Sequence, residues 1–347
     1  MTGFLVLEDG AVFRGRSVGA PGIAFGEAVF TTAMTGYQEV VTDPSYAEQL
    51  VCFTAAMVGN YGVSPERSQS SRAHAAAVLM RRAGGAEWTD WLSGQGVVAL
   101  EEVDTRALVL HIRHAGALRA AAVAGDASIA EVLRAVRAQP RMEGRPLVAD
   151  VSTRRPYRFA RGPTPVAVLD YGCKRSILMR LAAAGTEATV YPFDTDAATI
   201  LAGQPAGVVL SNGPGDPAAL PRQVAAVERL LGRVPVLGIC LGHQLLALAC
   251  GLQTFKLPFG HRGSNHPVLE LETNRVLVTS QNHGFAVRGD APAVTHVSLY
   301  DGTVEGLAFP SDGARSLQFH PEAGPGPHDA WPLIEGWLDE IRYAEAA

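Results

Sequence analysis

Beyond Val166 the chain alternates short, unbroken apolar runs with amphipathic stretches. VAVLDY (Val166 to Tyr171) is followed by a helix-type stretch from Lys174 to Ala184, closed by Gly185. Next come ATVYPF, a helical Asp196 to Leu201, the apolar run GVVLS, a helical Ala218 to Leu231, and VPVLGIC. Runs that are apolar on both faces suit parallel strands covered by helices on either side. Sites in such sheets lie at the carboxyl ends of the strands. NGPGDP (Asn212 to Pro217) and GICLG (Gly238 to Gly242) both fall at such ends.

The first half reads differently, with short β-type segments and scattered helices. FLVLEDGAVFRGR has the pattern of a hairpin around Asp9-Gly10. Ile129 to Ala138 places Val132, Leu133 and Val136 on one helical face. Between the halves, STRRPYRFARGP is rich in Arg and Pro and has no sustained apolar period, so it reads as an exposed linker. The expected division is a smaller mixed α/β domain over 1–150, a linker over 151–163 and an α/β domain over 164–347.

Composition narrows the class. In 347 residues, 47% are hydrophobic and 18% charged, with a net charge of −5, as in a globular protein with ample core. No basic stripe suited to phosphates is present, which argues against nucleic acid. Lys174 and Lys256 are the only lysines, and the arginines are scattered. Met1 to Phe13 is interrupted by Glu8 and Asp9 and reads as a strand, not a leader; no apolar run is long enough to span a membrane. Cys52, Cys173, Cys240 and Cys250 lack metal-type or disulfide-type spacing, so free thiols in a reducing cytoplasm are expected.

Gly238-Ile239-Cys240-Leu241-Gly242 has the form G-x-C-x-G between a buried strand and a helix beginning LGHQLLALAC. That is the cysteine version of the strained elbow that exposes a nucleophile. The helix aims unpaired N–H groups and its positive dipole end at the sulfur, which favours thiolate, and the Leu241 amide is placed to bind an oxyanion. A thiol also needs a base and an orienting group. LQFHPE supplies them, with His320 delivered by an apolar strand and Glu322 two positions on. His243 reads as structural and His283, after Asn282, as a turn residue. His261 and His266 in GHRGSNHP lack a third ligand, so no metal site is expected.

With GICLGHQ, FHPE and NGPGDP in this order, the C-terminal half resembles the class I (triad) glutamine amidotransferases. The resemblance implies a flavodoxin-like α/β domain with Cys240 as nucleophile, His320 as base and Glu322 as orienter. It also implies that Gly213 and Gly215 supply backbone at the oxyanion and substrate, and that Leu241 and Gln244 flank bound glutamine. TTAMTGYQEVVTDPSYAEQLV (Thr31 to Val51), GNYGV, GHRGSNHPV, QNHGFAV and HPEAGPGPHD look like the small subunit of carbamoyl-phosphate synthetase. In that family Ser45, of DPSY, reaches the glutamine, and Asn282, Gly284 and Phe285 are further contacts. The chain departs from the family pattern in FKLPFGHRG, with Pro258 and Arg262, and in having Gly324 where serine is expected.

No G-x-x-x-x-G-K-[ST] loop occurs, so no cofactor is expected on this chain. The resemblance implies that ATP and magnesium belong to a large partner subunit, which would use the ammonia to make carbamoyl phosphate for arginine and pyrimidine synthesis. Three other readings stand beside this one: an amidotransferase subunit such as that serving anthranilate synthase, an inactivated scaffold, and a free-standing thiol hydrolase. The extra 150 or so N-terminal residues disfavour the first. The intact Cys240, His320 and Glu322 disfavour the second. Strong activity without a partner would mark the third.

Overall fold

A computed structural model describes residues 2–289 and 292–346, with side chains to 342. The chain divides into two compact units, Met1–Met142 with Pro258–Gly263, and Glu143–Leu257 with Ser264–Ala347.

The first unit is built on a closed barrel. Its strands are β1 (Thr2–Leu7), β2 (Val12–Ser17), β3 (Gly22–Thr31), β4 (Gln49–Phe53), β5 (Ala77–Leu79), β6 (Val98–Glu101) and β7 (Leu118–Ala124), ordered β1-β2-β6-β5-β4-β3-β7. The hairpin expected at Asp9-Gly10 is present: Val6 pairs with Val12, and Gly10 takes the positive φ of 98° that the turn requires. Alternation along the strands feeds separate cores. Leu5 and Leu7 pack with Leu50, Leu79 and Leu100, whereas Phe4 and Val6 pack against Val132 and Val136 of the Ile129–Ala138 helix. Val51, Phe53 and Val78 join a third cluster around Trp88. Closure removes the open strand edges that a sheet of this size would otherwise expose.

The second unit contains a ten-stranded sheet. Its further strands are β8 (Tyr157–Arg158), β9 (Thr164–Asp170), β10 (Thr186–Pro192), β11 (Gly207–Leu210), β12 (Val236–Ile239), β13 (Gln253–Glu270), β14 (Arg275–Arg288), β15 (Val294–Ser298), β16 (Val304–Phe309) and β17 (Ala314–Leu317). The order is β14-β13-β15-β16-β17-β12-β11-β9-β10-β8. The run β10-β9-β11-β12-β17 is parallel, as its apolar pattern predicts. Ala167, Leu169, Val208, Leu210 and Val236 face one helical layer, which holds Val227, Leu241 and Leu245. Val166, Val168, Val209, Leu237 and Ile239 face the other, with Ile177, Leu181 and Trp337.

The structure corrects several expectations. Residues 151–163 are not a free linker: Thr153 N–H donates to Asp170 Oδ2 at 2.7 Å, and β8 pairs with β10 at the sheet edge. The first unit also takes a segment from far along the chain, Pro258–Gly263, so its boundary is not a single cut near 150. GHRGSNHP lies within the long strand β13, and QNHGFAV, whose His283 reads from sequence as a turn residue, lies within β14. The helical stretch from Ala218 to Leu231 resolves into a short turn at Pro217–Ala219 and a helix over Pro221–Glu228, because Pro221 starts a new helix at its first position. Among the described residues no helix is long and apolar enough to cross a membrane.

Trp337 is 1% exposed, and its ring lies over Gly207, where a β-carbon would meet it at 2.8 Å. Trp337→Ala is expected to cost the second unit about 3–5 kcal/mol through lost burial and the cavity left behind. A urea titration followed by near-ultraviolet circular dichroism measures this.

Candidate active site

Strand β12 ends at Ile239, and the helix Leu241–Ala249 begins two residues later. Cys240 makes the turn between them with φ 55° and ψ −104°, in a region that side chains rarely occupy. Two positions away on either side, only glycine fits. A β-carbon on Gly238 would lie 2.6 Å from the Gly242 carbonyl oxygen, and one on Gly242 would be driven into the Leu210 carbonyl. Cys240 N–H donates to Leu317 O at 2.8 Å, which ties the elbow to β17. The thiol, 2% exposed, lies 3.5 Å from the Asn282 carbonyl as a donor.

Parallel pairing of β12 and β17 brings Ile239 opposite Leu317. The two chains therefore deliver Cys240 and His320 at the same end of the sheet. His320 N–H donates to Ser280 O at 2.9 Å, so the cysteine and the histidine contact β14 only two residues apart. His320 Nδ1 lies 2.7 Å from Glu322 Oε1. That bond leaves Nε2, buried and without a hydrogen-bond partner, as the nitrogen able to exchange protons.

Glu322 is 2% exposed, and its Oε1 also accepts from Lys174 Nζ at 2.9 Å. Lys174 is itself 2% exposed and donates to Ala323 O at 2.6 Å. Burial alone would raise the carboxyl pKa, but Lys174 and His320 outweigh it and hold Glu322 down from 4.5 to about 2. Among the other thiols burial dominates, at Cys173 even with Lys174 and Ser211 acting against it. Burial pushes Cys52 and Cys173 far up and Cys250 up to about 11.

The remaining residues expected from sequence are placed as follows. Gly213 sits under the Tyr171 carbonyl with Leu241 Cδ2 beside it, and Gly215 has φ 94° against the Arg145 carbonyl, so neither position accepts a side chain. Gln244 is buried, and its Nε2 donates to Phe285 O at 2.9 Å and Gln318 Oε1 at 3.0 Å, so its amide braces β14. Asn282, Gly284 and Phe285 run along β14 beside the cysteine. Ser45 lies in the first unit, buried in a short turn at Pro44–Tyr46, where its N–H donates to Asp43 Oδ1 at 2.9 Å.

His243 is structural, as expected: its Nδ1 lies 2.8 Å from Ser316 Oγ, and burial pushes its pKa down to about 3. His283 lies in mid-strand, not in a turn, with Nδ1 on the Phe285 carbonyl at 2.7 Å. Sequence reasoning missed Lys174 as part of this cluster. The available signal was that it is one of only two lysines in the chain.

A strained cysteine elbow on a parallel sheet, with a carboxylate-bound histidine at the neighbouring strand end, defines the class of protein. Residues 167–339 match the model of the class-I glutamine amidotransferase family. Residues 5–122 match the carbamoyl-phosphate synthase small chain, CPSase domain. Carbamoyl phosphate synthase small chains from Thioalkalivibrio sulfidiphilus and Xanthomonas campestris are each 44% identical, covering 97% of this chain and 97% of the former, and 99% of this chain and 98% of the latter. The Salmonella typhimurium small chain is 42% identical over 99% of this chain and 98% of its own. This chain belongs to the carbamoyl phosphate synthase small chain family, the glutamine amidotransferase subunits of that synthase.

The Glu322 shift carries a stability consequence. A carboxylate whose folded pKa is depressed stabilises the fold fully above its unfolded value, and this contribution is lost as pH falls toward the folded value. Between pH 4.5 and about 2 the wild-type protein is therefore expected to lose stability more steeply than Glu322→Gln. Denaturant midpoints across that window test this, and parallel curves would contradict it.

Proposed function

We propose that the chain hydrolyses glutamine through Cys240, His320 and Glu322 and passes the ammonia to an ATP-using large subunit. What carries the reading is the positive-φ elbow at Cys240 beside a histidine whose far nitrogen is bonded to a buried, ionised carboxylate. The Cys240 thiolate attacks the side-chain amide carbon of glutamine. The Leu241 N–H, in a first helical turn that has no intrahelical acceptors, and backbone at Gly213 bind the oxyanion. His320, protonated at this stage, gives its Nε2 proton to the departing nitrogen, so ammonia leaves and a thioester remains. His320 then takes a proton from water as that water attacks the thioester, releasing glutamate and the thiol. Glu322 holds the ring and stabilises its charged form throughout.

Family membership supports the rest of the proposal. ATP and magnesium are bound by the large subunit, with none on this chain, and carbamoyl phosphate for arginine and pyrimidine synthesis is the product. The N-terminal unit provides partner-contact surface, and the chain works in the cytoplasm, which suits four free cysteines. Ser45, Gly215, Leu241, Gln244, Asn282, Gly284 and Phe285 are assigned to the glutamine site on the family pattern.

The test mixes this chain with a family large subunit, glutamine, ATP and bicarbonate, with ammonia-fed synthesis as the control. Glutamine-dependent carbamoyl phosphate is expected, and Cys240→Ser is expected to abolish it while leaving ammonia-fed synthesis intact. Product from ammonia but none from glutamine, in a demonstrated complex, would overturn the proposal. Ser45→Ala is expected to raise KM for glutamine with little change in kcat, the pattern of a lost binding contact. Steady-state kinetics of the same mixture measures it.

A further inference from the structure

Lys174 is an unusual residue to find where it is. A lysine is almost never fully buried unless paired, and removing its charge from water is costly. Here the backbone before it is fixed first: Asp170 Oδ1 accepts from Gly172 N–H at 2.9 Å and from Cys173 N–H at 2.7 Å. The Lys174 N–H donates to Asn212 Oδ1 at 3.0 Å, within NGPGDP. The side chain then reaches Glu322 Oε1, the same oxygen that faces His320 Nδ1, and the Ala323 carbonyl. Glu322 Oε2 is buried without a hydrogen-bond partner, so one carboxylate oxygen carries both interactions. Resting on the hydrolytic reading above, we propose that Lys174 is a positioning residue for glutamine hydrolysis. It holds Glu322 ionised and in place for His320, and thereby sets the pH range in which the Cys240–His320 pair works.

The physical reason is charge balance. With Cys240 as thiolate and His320 as imidazolium, Glu322 and Lys174 bring the buried cluster to neutrality. Without Lys174 the cluster carries one net negative charge in a site that excludes water, and every proton there is held more tightly. Two other groups share this environment: Cys173, which interacts with Asp170, Glu322 and Lys174, and Asp170 itself. Burial raises the pKa of both and so favours their neutral forms, and since neither a carboxyl nor a thiol can carry positive charge, neither replaces the lysine. Lys174 touches Glu322 and not the thiol, so its influence runs through the carboxylate.

The experiment follows glutamine hydrolysis by the full chain, mixed with a family large subunit, for Lys174→Met, Glu322→Gln and the double variant. In Lys174→Met, kcat is expected to fall about tenfold with KM nearly unchanged, and the acid limb of kcat/KM to move up by about one pH unit. Loss of activity with an unmoved acid limb would show a structural role only and overturn the proposal. The double variant buries no unpaired charge and remains informative if Lys174→Met does not fold. Because Lys174 acts through Glu322, the double variant is expected to match Glu322→Gln in kcat within about twofold. A further loss of about tenfold beyond Glu322→Gln would overturn the proposal. Wild type and Cys240→Ser run alongside. An inactive wild type would remove the hydrolytic reading itself, whereas an active one with an unmoved limb removes only the role of Lys174.

Discussion

The backbone at Cys240 occupies a region that costs a residue with a side chain about 1–3 kcal/mol, and the end of the sheet is arranged so that it has no alternative. Strand and helix meet so closely that Gly238 and Gly242 leave no room for a β-carbon. The helix that follows is buried from Leu241 to Ala247, and its apolar face packs on the strands that precede it. Relaxing the turn would pull this helix away from the core. The strain is offset by burial elsewhere, and its product is a thiol held at a strand end beside a helix N-terminus.

A second constraint is electrostatic. A carboxylate buried as deeply as Glu322 would normally take up a proton, and a protonated carboxyl could not stabilise an imidazolium. Lys174 and His320 together reverse that preference. Buried ion pairs often add little net stability, because the desolvation of two charges offsets their attraction. The pair therefore makes better sense as a device for fixing a charge state than as a source of stability. Its members come from positions 174 and 322, so the charge state is set only when the fold closes.

Those distances also explain what the sequence could and could not reveal. The parallel strands were legible because each is an apolar run bounded by turn residues, and the elbow because its glycines adjoin the cysteine. His320 and Glu322 were legible as a pair two positions apart. Barrel closure was not, since β1 meets β7 through pairing that no local pattern records. The long strands β13 and β14 were hidden by their Gly, Pro, His and Asn content, which reads locally as loop. Capture of Pro258–Gly263 by the first unit is likewise a matter of tertiary packing. Lys174 escaped notice because a lysine is normally exposed, and the partners that bury it, at Asn212, Glu322 and Ala323, lie far along the chain.

Side-chain contacts also explain how β14 keeps its position beside Cys240. Gln244, on the elbow helix, holds the Phe285 carbonyl and Gln318, which directly precedes the His320 segment. Gln281, on β14, donates to Glu305 Oε2 at 2.8 Å, and Gln318 N–H donates to the Glu305 carbonyl, also at 2.8 Å. The helix carrying the thiol, the segment carrying the histidine and the strand lying along both are thus joined by buried amide and carboxylate groups. Each such group is costly to leave unsatisfied, so a displacement of one element breaks bonds to the other two. Errors in position are then shared instead of independent, which favours a fixed spacing between Cys240, His320 and the Asn282–Phe285 backbone.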